Sequence, residues 1–338
     1  MDETVQVYAK RCSKTFHTFP SYEMMLKFPE CLTFVPPDDY YNKKHSDTIS
    51  DFTSSSEDSE GKTSEEESDE ESGYSDWEDA FPYEENVMAL SRTYQFIDRL
   101  STNDQAVVYK AYHKDMKKKV IVKIINEPVK MKHPKIIRLM TVVQKCPYLP
   151  KMICWHDLQS TGCYAITTRY ISGKEIDYYC DGNEKKIHRT MHELCKAIEY
   201  LHNNNIIHRD VKPGNILCND KMTVLIDFDL STFYDPVRLH RCKAGTKGFR
   251  APEVGNCKGY GKSIDIFSLG MVFSALLLKL KDREITSDNP KMTPKKIRKI
   301  AREKKGPAYK LLLKLLCNNP ADRPTIQEIL THPYFSSP

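Results

Sequence analysis

His208-Arg209-Asp210-Val211-Lys212-Pro213-Gly214-Asn215 sets a carboxylate, an ammonium and an amide at fixed offsets within eight residues. These are the side chains that moving a phosphoryl group between oxygens requires. A carboxylate at Asp210 accepts the proton of an attacking hydroxyl, and an ammonium at Lys212 neutralises charge on the group in flight. The amide of Asn215 offers an oxygen to magnesium, which prefers oxygen ligands. A His-Arg-Asp tripeptide alone also suits a solvated turn, so the weight of the reading rests on the flanks.

Upstream, Ile187, Met191, Leu194, Ile198 and Leu201 recur at helical spacing, which predicts an amphipathic helix over 187–203 that delivers the chain to the string. Downstream, 224–226 reads as a short apolar strand that presents Asp227, a second oxygen ligand, at its end. The folded body begins near Tyr94. Segments 94–100, 106–113 and 119–125 read as short strands, with Asn103-Asp104 marking the first turn. The third carries Val120-Ile121-Val122-Lys123, and Lys123 stands 87 residues before Asp210. A strand is predicted over 163–171 and helices over 136–144, 264–280, 307–317 and 325–330, of which 264–280 is apolar on most sides and therefore buried.

Residues 94–335, about seven tenths of the chain, resemble a eukaryotic protein kinase domain. After the string come Asp227-Phe228-Asp229, Ala251-Pro252-Glu253, Asp265 in S-I-D-I-F-S-L-G and Arg323 in N-P-A-D-R-P-T, in the family's order. The resemblance implies an α+β, two-lobed fold. A small antiparallel β lobe with one helix spans about 94–168, and a larger, mainly helical lobe spans about 172–335. ATP would lie in the cleft with magnesium on Asn215 and Asp227, Lys123 gripping the α and β phosphates and Asp210 and Lys212 as the catalytic pair. Val108, Ile121 and Leu217 would line adenine, with Thr168 as gatekeeper and Ile171 in the hinge. Thr246, Ser231, Thr232 and Tyr234 are candidate hydroxyls of the activation segment that Glu253 closes, and Arg209 could receive a phosphate there. Arg323 would pair with Glu253, and Asp265 would brace the backbone of the catalytic loop.

Lys212, two places after Asp210, resembles the serine/threonine enzymes, so the implied reaction is transfer of the ATP γ-phosphoryl group to Ser or Thr of protein substrates. Within the superfamily, Ala244 to Val254 is similar to cell-division-cycle 7 kinases, which favour serines flanked by acids. A basic run, Lys295, Lys296, Arg298, Lys299, Arg302, Lys304 and Lys305, fits such acidic substrates; it reads equally as a solvated helix face or a nuclear-import signal. The large insertions typical of that group are missing, which leaves an activating subunit open.

Four departures stand out. Ser101, Asn103 and Ala106 occupy the phosphate-loop positions where three glycines are expected, so ATP should be held less tightly or by a differently shaped loop. Asp and Glu are absent over 128–156, and alignment places Met140 where Lys123 should find its glutamate partner. Ile121 narrows the adenine pocket. Asp229 replaces a glycine, a change shared with plant kinases of the phototropin group, and aspartate tolerates left-handed dihedrals better than most residues. These departures keep a second class in view, a pseudokinase that acts as a scaffold or allosteric binding module with weak or no phosphotransfer. Retention of both Asp210 and Asp227 favours the enzyme. A small-molecule kinase fits less well, because 244–253 resembles a platform for a peptide.

Ahead of the domain, residues 1–45 are rich in aromatics and read as a docking segment or a loosely ordered extension. Residues 46–93 read as an acidic, Ser/Asp/Glu-rich disordered arm and linker. Over 46–86 sixteen acids face one base, a charge of −15, whereas 87–338 carry +20 of the chain's net +5. The arm is either a solvated charge run or a regulated element that contacts the basic body; Ser55, Ser64 and Ser68 resemble sites for acidophilic kinases. Eleven cysteines without a CxxC pair read as reduced thiols, and the longest apolar run, 271–280, is too short to span a bilayer. The expectation is an intracellular protein, in nucleus or cytoplasm, without membrane or direct nucleic-acid partners.

Overall fold

The computed structural model describes residues 83–103, 105–127, 134–256, 259–280, 282–286 and 291–336. The 1–45 extension and the acidic arm as far as residue 82 lie outside the described residues. The end of the expected disordered linker is folded: α1 (Tyr83–Leu90) leads through a turn into the first strand. Leu90 and Asn86 are buried, and the Thr161 hydroxyl donates to Asn86 Oδ1 at 2.6 Å. Glu84 and Glu85 sit in the first turn of α1, where the helix dipole favours negative charge, so the last acids of the arm also suit a helix start.

The first lobe is one antiparallel sheet of β1 (Tyr94–Thr102), β2 (Ala106–His113), β3 (Lys118–Ile125), β4 (Met152–Leu158) and β5 (Cys163–Arg169), in the order β1-β2-β3-β5-β4. Alternation sets its faces: Val120, Val122 and Ile124 are buried, while Ile121 and Lys123 between them are half-buried on the opposite face. Register then puts Val108 opposite Lys123 and Ile121 opposite Thr168. Strand β4 escaped the sequence reading because its polar residues are internal. Tyr94 Oη lies 2.7 Å from His156 Nε2 and 2.8 Å from Thr167 Oγ1, which makes burial of these groups tolerable. Helix α2 (Lys135–Val142), between β3 and β4 in the chain, continues as a 3-10 turn over Val143–Lys145.

The second lobe begins with β6 (Lys174–Glu175), α3 (Ile176–Cys180) and the amphipathic α4 (Glu184–Asn203), whose buried side carries the expected Ile187, Met191, Leu194, Ile198 and Leu201. Short strands β7 (Ile206–Ile207), β8 (Ile216–Cys218), β9 (Thr223–Leu225) and β10 (Thr232–Phe233) bracket the catalytic string and the segment after it. Next come α5 (Pro252–Gly255), α6 (Ser263–Leu278), α7 (Asp282–Thr286), α8 (Pro294–Glu303), α9 (Pro307–Leu315), α10 (Ile326–Leu330) and α11 (Pro333–Ser336), of which α6, α9 and α10 match expected helices. Helix α6 is buried from Ile264 to Leu276, as its apolar circumference requires. A Cβ on Gly270 would stand 2.8 Å from Leu315 Cβ, so this glycine lets α6 and α9 pack closely. The lobes join through 170–173, and the face of β2 and β3 bearing Val108, Ile121 and Lys123 belongs to the same side of the sheet as Thr168. No helix among the described residues is long and apolar enough to cross a membrane.

Candidate active site

Residues 208–215 hang between β7 and β8 and are held from below by Asp265 on α6. Asp265 Oδ2 accepts from the backbone N–H of His208 and Oδ1 from that of Arg209, each at 2.9 Å, while His202 Nε2 lies 3.0 Å from Oδ2. Burial pushes the Asp265 carboxyl up, but the His202 contact and these backbone donors outweigh it, leaving the group below the ordinary carboxylate range. The brace is needed because Arg209 is left-handed, at φ 69°, a conformation a non-glycine residue holds only when its surroundings over-determine it. His202 was not read from the sequence; its place on the last turn of the amphipathic helix was the one available signal.

His208 is enclosed. Its Nε2 faces the Ile226 carbonyl at 3.2 Å and therefore carries the hydrogen, leaving Nδ1 to accept from the Asp210 backbone N–H at 3.3 Å. Burial pulls its pKa down, so the ring is neutral. It fixes the catalytic string to the Asp227 segment, which is also tied by the Ile226 N–H donating to the Asn215 carbonyl at 2.8 Å.

Asp210, Lys212, Asn215 and Thr246 form one cluster. Asp210 Oδ1 accepts from the Thr246 N–H at 2.9 Å and from its hydroxyl at 2.7 Å, and Oδ2 accepts from Asn215 Nδ2 at 2.9 Å and lies 3.0 Å from Lys212 Nζ. Lys212 Nζ also donates to Thr246 Oγ1 at 2.9 Å. Asn215 uses its amide N–H groups on Asp210, to both the side chain and the backbone carbonyl, which leaves its amide oxygen as the atom that could hold a metal. Asp227 supplies a carboxylate from the adjoining segment; burial raises its pKa, but the charge and hydrogen bond of Lys123 outweigh this and hold it below the usual range. Two oxygen donors, one of them ionised, on segments hydrogen-bonded to each other suit magnesium.

Lys123 reaches across from β3, with Nζ 3.2 Å from Asp227 Oδ1 and in direct contact with Asp229 Oδ2. Helix α2, sequence KIIRLMTV, has no acid, and Met140, placed by alignment at the glutamate position, is buried. The second acid that meets Lys123, beside Asp227, is thus the residue standing where the family's triplet has glycine. The left-handed residue of that triplet is Asp227, at φ 66°, and Asp229 is not among the residues with positive φ, so the dihedral explanation for Asp229 is replaced by its side-chain contact.

The phosphate-loop residues behave differently from a glycine loop. Asn103 Oδ1 accepts from the N–H groups of Gln105 at 2.9 Å and Ala106 at 2.8 Å, closing the turn on itself. Ser101 and Asn103 are exposed and Ala106 is buried. Val108, Ile121, Thr168, Ile171 and Leu217 are all half-buried. In the activation segment, Ser231 is buried and donates to the His208 carbonyl at 3.2 Å, which withdraws it as a modification site. Arg209 is already engaged without a phosphate: Nε donates to the Leu230 carbonyl, and Nη1 lies 3.1 Å from both Cys242 Sγ and Tyr260 Oη. Glu253 and Arg323 form a buried two-pronged pair at 2.5 and 2.8 Å.

The family model described as "Protein kinase domain" matches residues 94–335. The chain belongs to the protein kinase family. Among curated relatives, the kinase domain is 33% identical to the putative serine/threonine-protein kinase R436 of Acanthamoeba polyphaga mimivirus, over 67% of this chain and 83% of that protein. It is 31% identical to the calcium/calmodulin-dependent protein kinase cmkA of Emericella nidulans, over 64% of this chain and 56% of that protein. It is 30% identical to the phosphorylase b kinase gamma catalytic chain, liver/testis isoform, of Bos taurus, over 48% of this chain and 44% of that protein. The matches to the last two span about half of each relative's length.

Proposed function

We propose that this kinase domain transfers the γ-phosphoryl group of ATP to serine or threonine hydroxyls of proteins, the reaction of the non-specific serine/threonine protein kinases. The observation that carries the proposal is the Asp210 carboxylate held between Lys212, Asn215 and Thr246, with Lys123 and Asp227 facing each other on the adjoining segments. A substrate hydroxyl entering beside Thr246 would deliver its proton to Asp210 as its oxygen attacks phosphorus. Lys212 bridges Asp210 and Thr246, where it would neutralise charge on the group in transfer. Lys123 would hold the α and β phosphates. Magnesium on Asn215 and Asp227 would offset charge on the phosphate oxygens.

The exposed Lys295, Lys296, Lys299, Arg302, Lys304 and Lys305 on and after α8 support acidic substrates. Arg298 is not part of that face in the same way, since Nη1 donates to the Leu316 carbonyl at 3.0 Å. Such a field acts mostly on the rate of encounter, and the likeness of 244–254 to the cell-division-cycle 7 kinases supports the same preference. The −15 segment over 46–86 would compete electrostatically with such substrates. A phosphate on the activation segment is no part of the proposal, because Arg209, which would receive it, is engaged within the chain. The place of action proposed is inside the cell, in nucleus or cytoplasm. The test is transfer of labelled phosphate from ATP and magnesium to an acidic protein, wild type beside Asp210→Asn. A loss of at least about a hundredfold is expected, the lower range of general-base contributions. Equal signals would refute catalysis and leave a phosphate-free binding module.

A further inference from the structure

Lys123 meets two carboxylates and neither comes from the helix. Its Nζ is 3.2 Å from Asp227 Oδ1 and in direct contact with Asp229 Oδ2. None of the eight residues of α2 is acidic, and Ile136, Ile137, Leu139 and Met140 are buried as core. The helix contributes the opposite sign: Lys135, at its first position, is near enough to Asp229 for their charges to interact. Glu127, the acid just after β3, is within hydrogen-bond reach of the Tyr164 hydroxyl at 3.5 Å. Among the described residues, only Asp227 and Asp229 form ion pairs with Lys123.

These two acids cannot do the same work. Asp227 is the metal ligand of the proposed reaction, and an ammonium held only by it would compete with the cation for the same carboxylate. A lysine on a flexible four-carbon stem needs a second anchor to stay aimed at phosphate. We propose that Asp229 is this anchor, a positioning residue that has moved the partner of Lys123 from the helix to the segment after Asp227. The placement is consistent with the backbone, since the left-handed turn falls at Asp227 and position 229 is free to carry a side chain. It also explains how the buried face of α2 can lack an acid while Lys123 stays paired. One consequence separates this chain from a glycine-bearing kinase: orientation of Lys123 no longer depends on where the helix sits, but on the conformation of 227–229.

The inference rests on the proposed phosphotransfer, and its test is a cycle that also works without it. Asp229→Asn, Asp229→Glu and Asp229→Gly are made in the wild-type chain, and Asp229→Asn also beside Lys123→Met. The expected result is that Asp229→Asn and Asp229→Gly each lower kcat/KM for ATP about tenfold with thermal stability little changed, that Asp229→Glu recovers part of the loss, and that Asp229→Asn adds less than about twofold when Lys123 is already Met. A full tenfold effect of Asp229→Asn in the Lys123→Met background would overturn the inference, because Asp229 would then act by another route. So would wild-type kinetics in Asp229→Gly. If the wild-type chain transfers no phosphate, the reaction reading fails and the same cycle is run on MgATP affinity by titration. There, loss of coupling between positions 123 and 229, or absence of MgATP binding, overturns the inference separately.

Discussion

Replacing Arg323 by Met should unfold the larger lobe more than any loss of packing can explain. Arg323 Nη1 and Nη2 grip the Glu253 carboxylate at 2.5 and 2.8 Å, and the same guanidinium donates to the carbonyls of Cys317, Ser263 and Asn318 at 2.9, 3.0 and 3.2 Å. The Arg323 side chain is 0% exposed and that of Glu253 8%. Met keeps the stem's volume but strands a carboxylate away from water, and breaking a buried pair in this way costs about 3–5 kcal/mol. At roughly 3 °C per kcal/mol for a domain of this size, the thermal midpoint should fall by roughly 12 °C. Urea unfolding of wild type, Arg323→Met, Glu253→Gln and the double variant closes a cycle. The double variant should be more stable than Arg323→Met alone, because the neutral amide no longer needs a cation. A cost under about 1 kcal/mol for Arg323→Met, or simple additivity in the cycle, would show that the buried pair does not hold the lobe in this way.

Asn103→Gly should free the N–H groups of Gln105 and Ala106 for phosphate and lower the KM for ATP by up to about tenfold, near one charge-assisted hydrogen bond; an unchanged or higher KM would count against the self-closed loop. Burial, and then the charge of His113, pull the His156 pKa down from 6.5 to about 4. The folded protein therefore binds fewer protons than the unfolded chain in this range. Stability from this group is full above pH 6.5 and declines as pH falls through 4, by up to about 3 kcal/mol, and His156→Gln should flatten that part of the curve in urea titrations. Gly245 has φ 90°, and a Cβ there would stand 2.5 Å from the Arg209 carbonyl oxygen. Gly245→Ala should thus displace neighbouring Thr246 from Asp210 and lower kcat at least tenfold, at a stability cost of about 1–2 kcal/mol; wild-type kcat would contradict it.

The chemistry was legible because its parts lie close together or at fixed intervals along the chain. Asp210, Lys212 and Asn215 share one loop, and a loop of eight residues has little freedom to separate them; their contacts follow from local sequence. The strands β2 and β3 and the helices α4 and α6 were equally readable, since alternation, the periodicity of α4 and the unbroken apolar run of α6 report burial directly. Residues 83–93 were misjudged because acidic composition suggested disorder, while buried Leu90 and Asn86 and the Lys114 contacts to the Ser91 and Thr93 carbonyls hold the segment to the sheet. Strand β4 was missed for the same reason in reverse: its polar groups find partners on other strands.

Family membership, the two-lobed α+β fold and the acids, amide and lysines available for phosphoryl transfer could be read along the chain, because each is a local pattern standing in the family's order. Folding in three dimensions was needed to show which acid joins Asp227 at Lys123, which histidine steadies Asp265, and that Asn103 closes the loop where glycines would open it. Lys123 and Asp229 are 106 positions apart, and a missing glutamate on one helix says nothing of what fills its place. Ion pairing depends on separation in space, and that separation is set by how the sheet and the segment after Asp227 pack against each other.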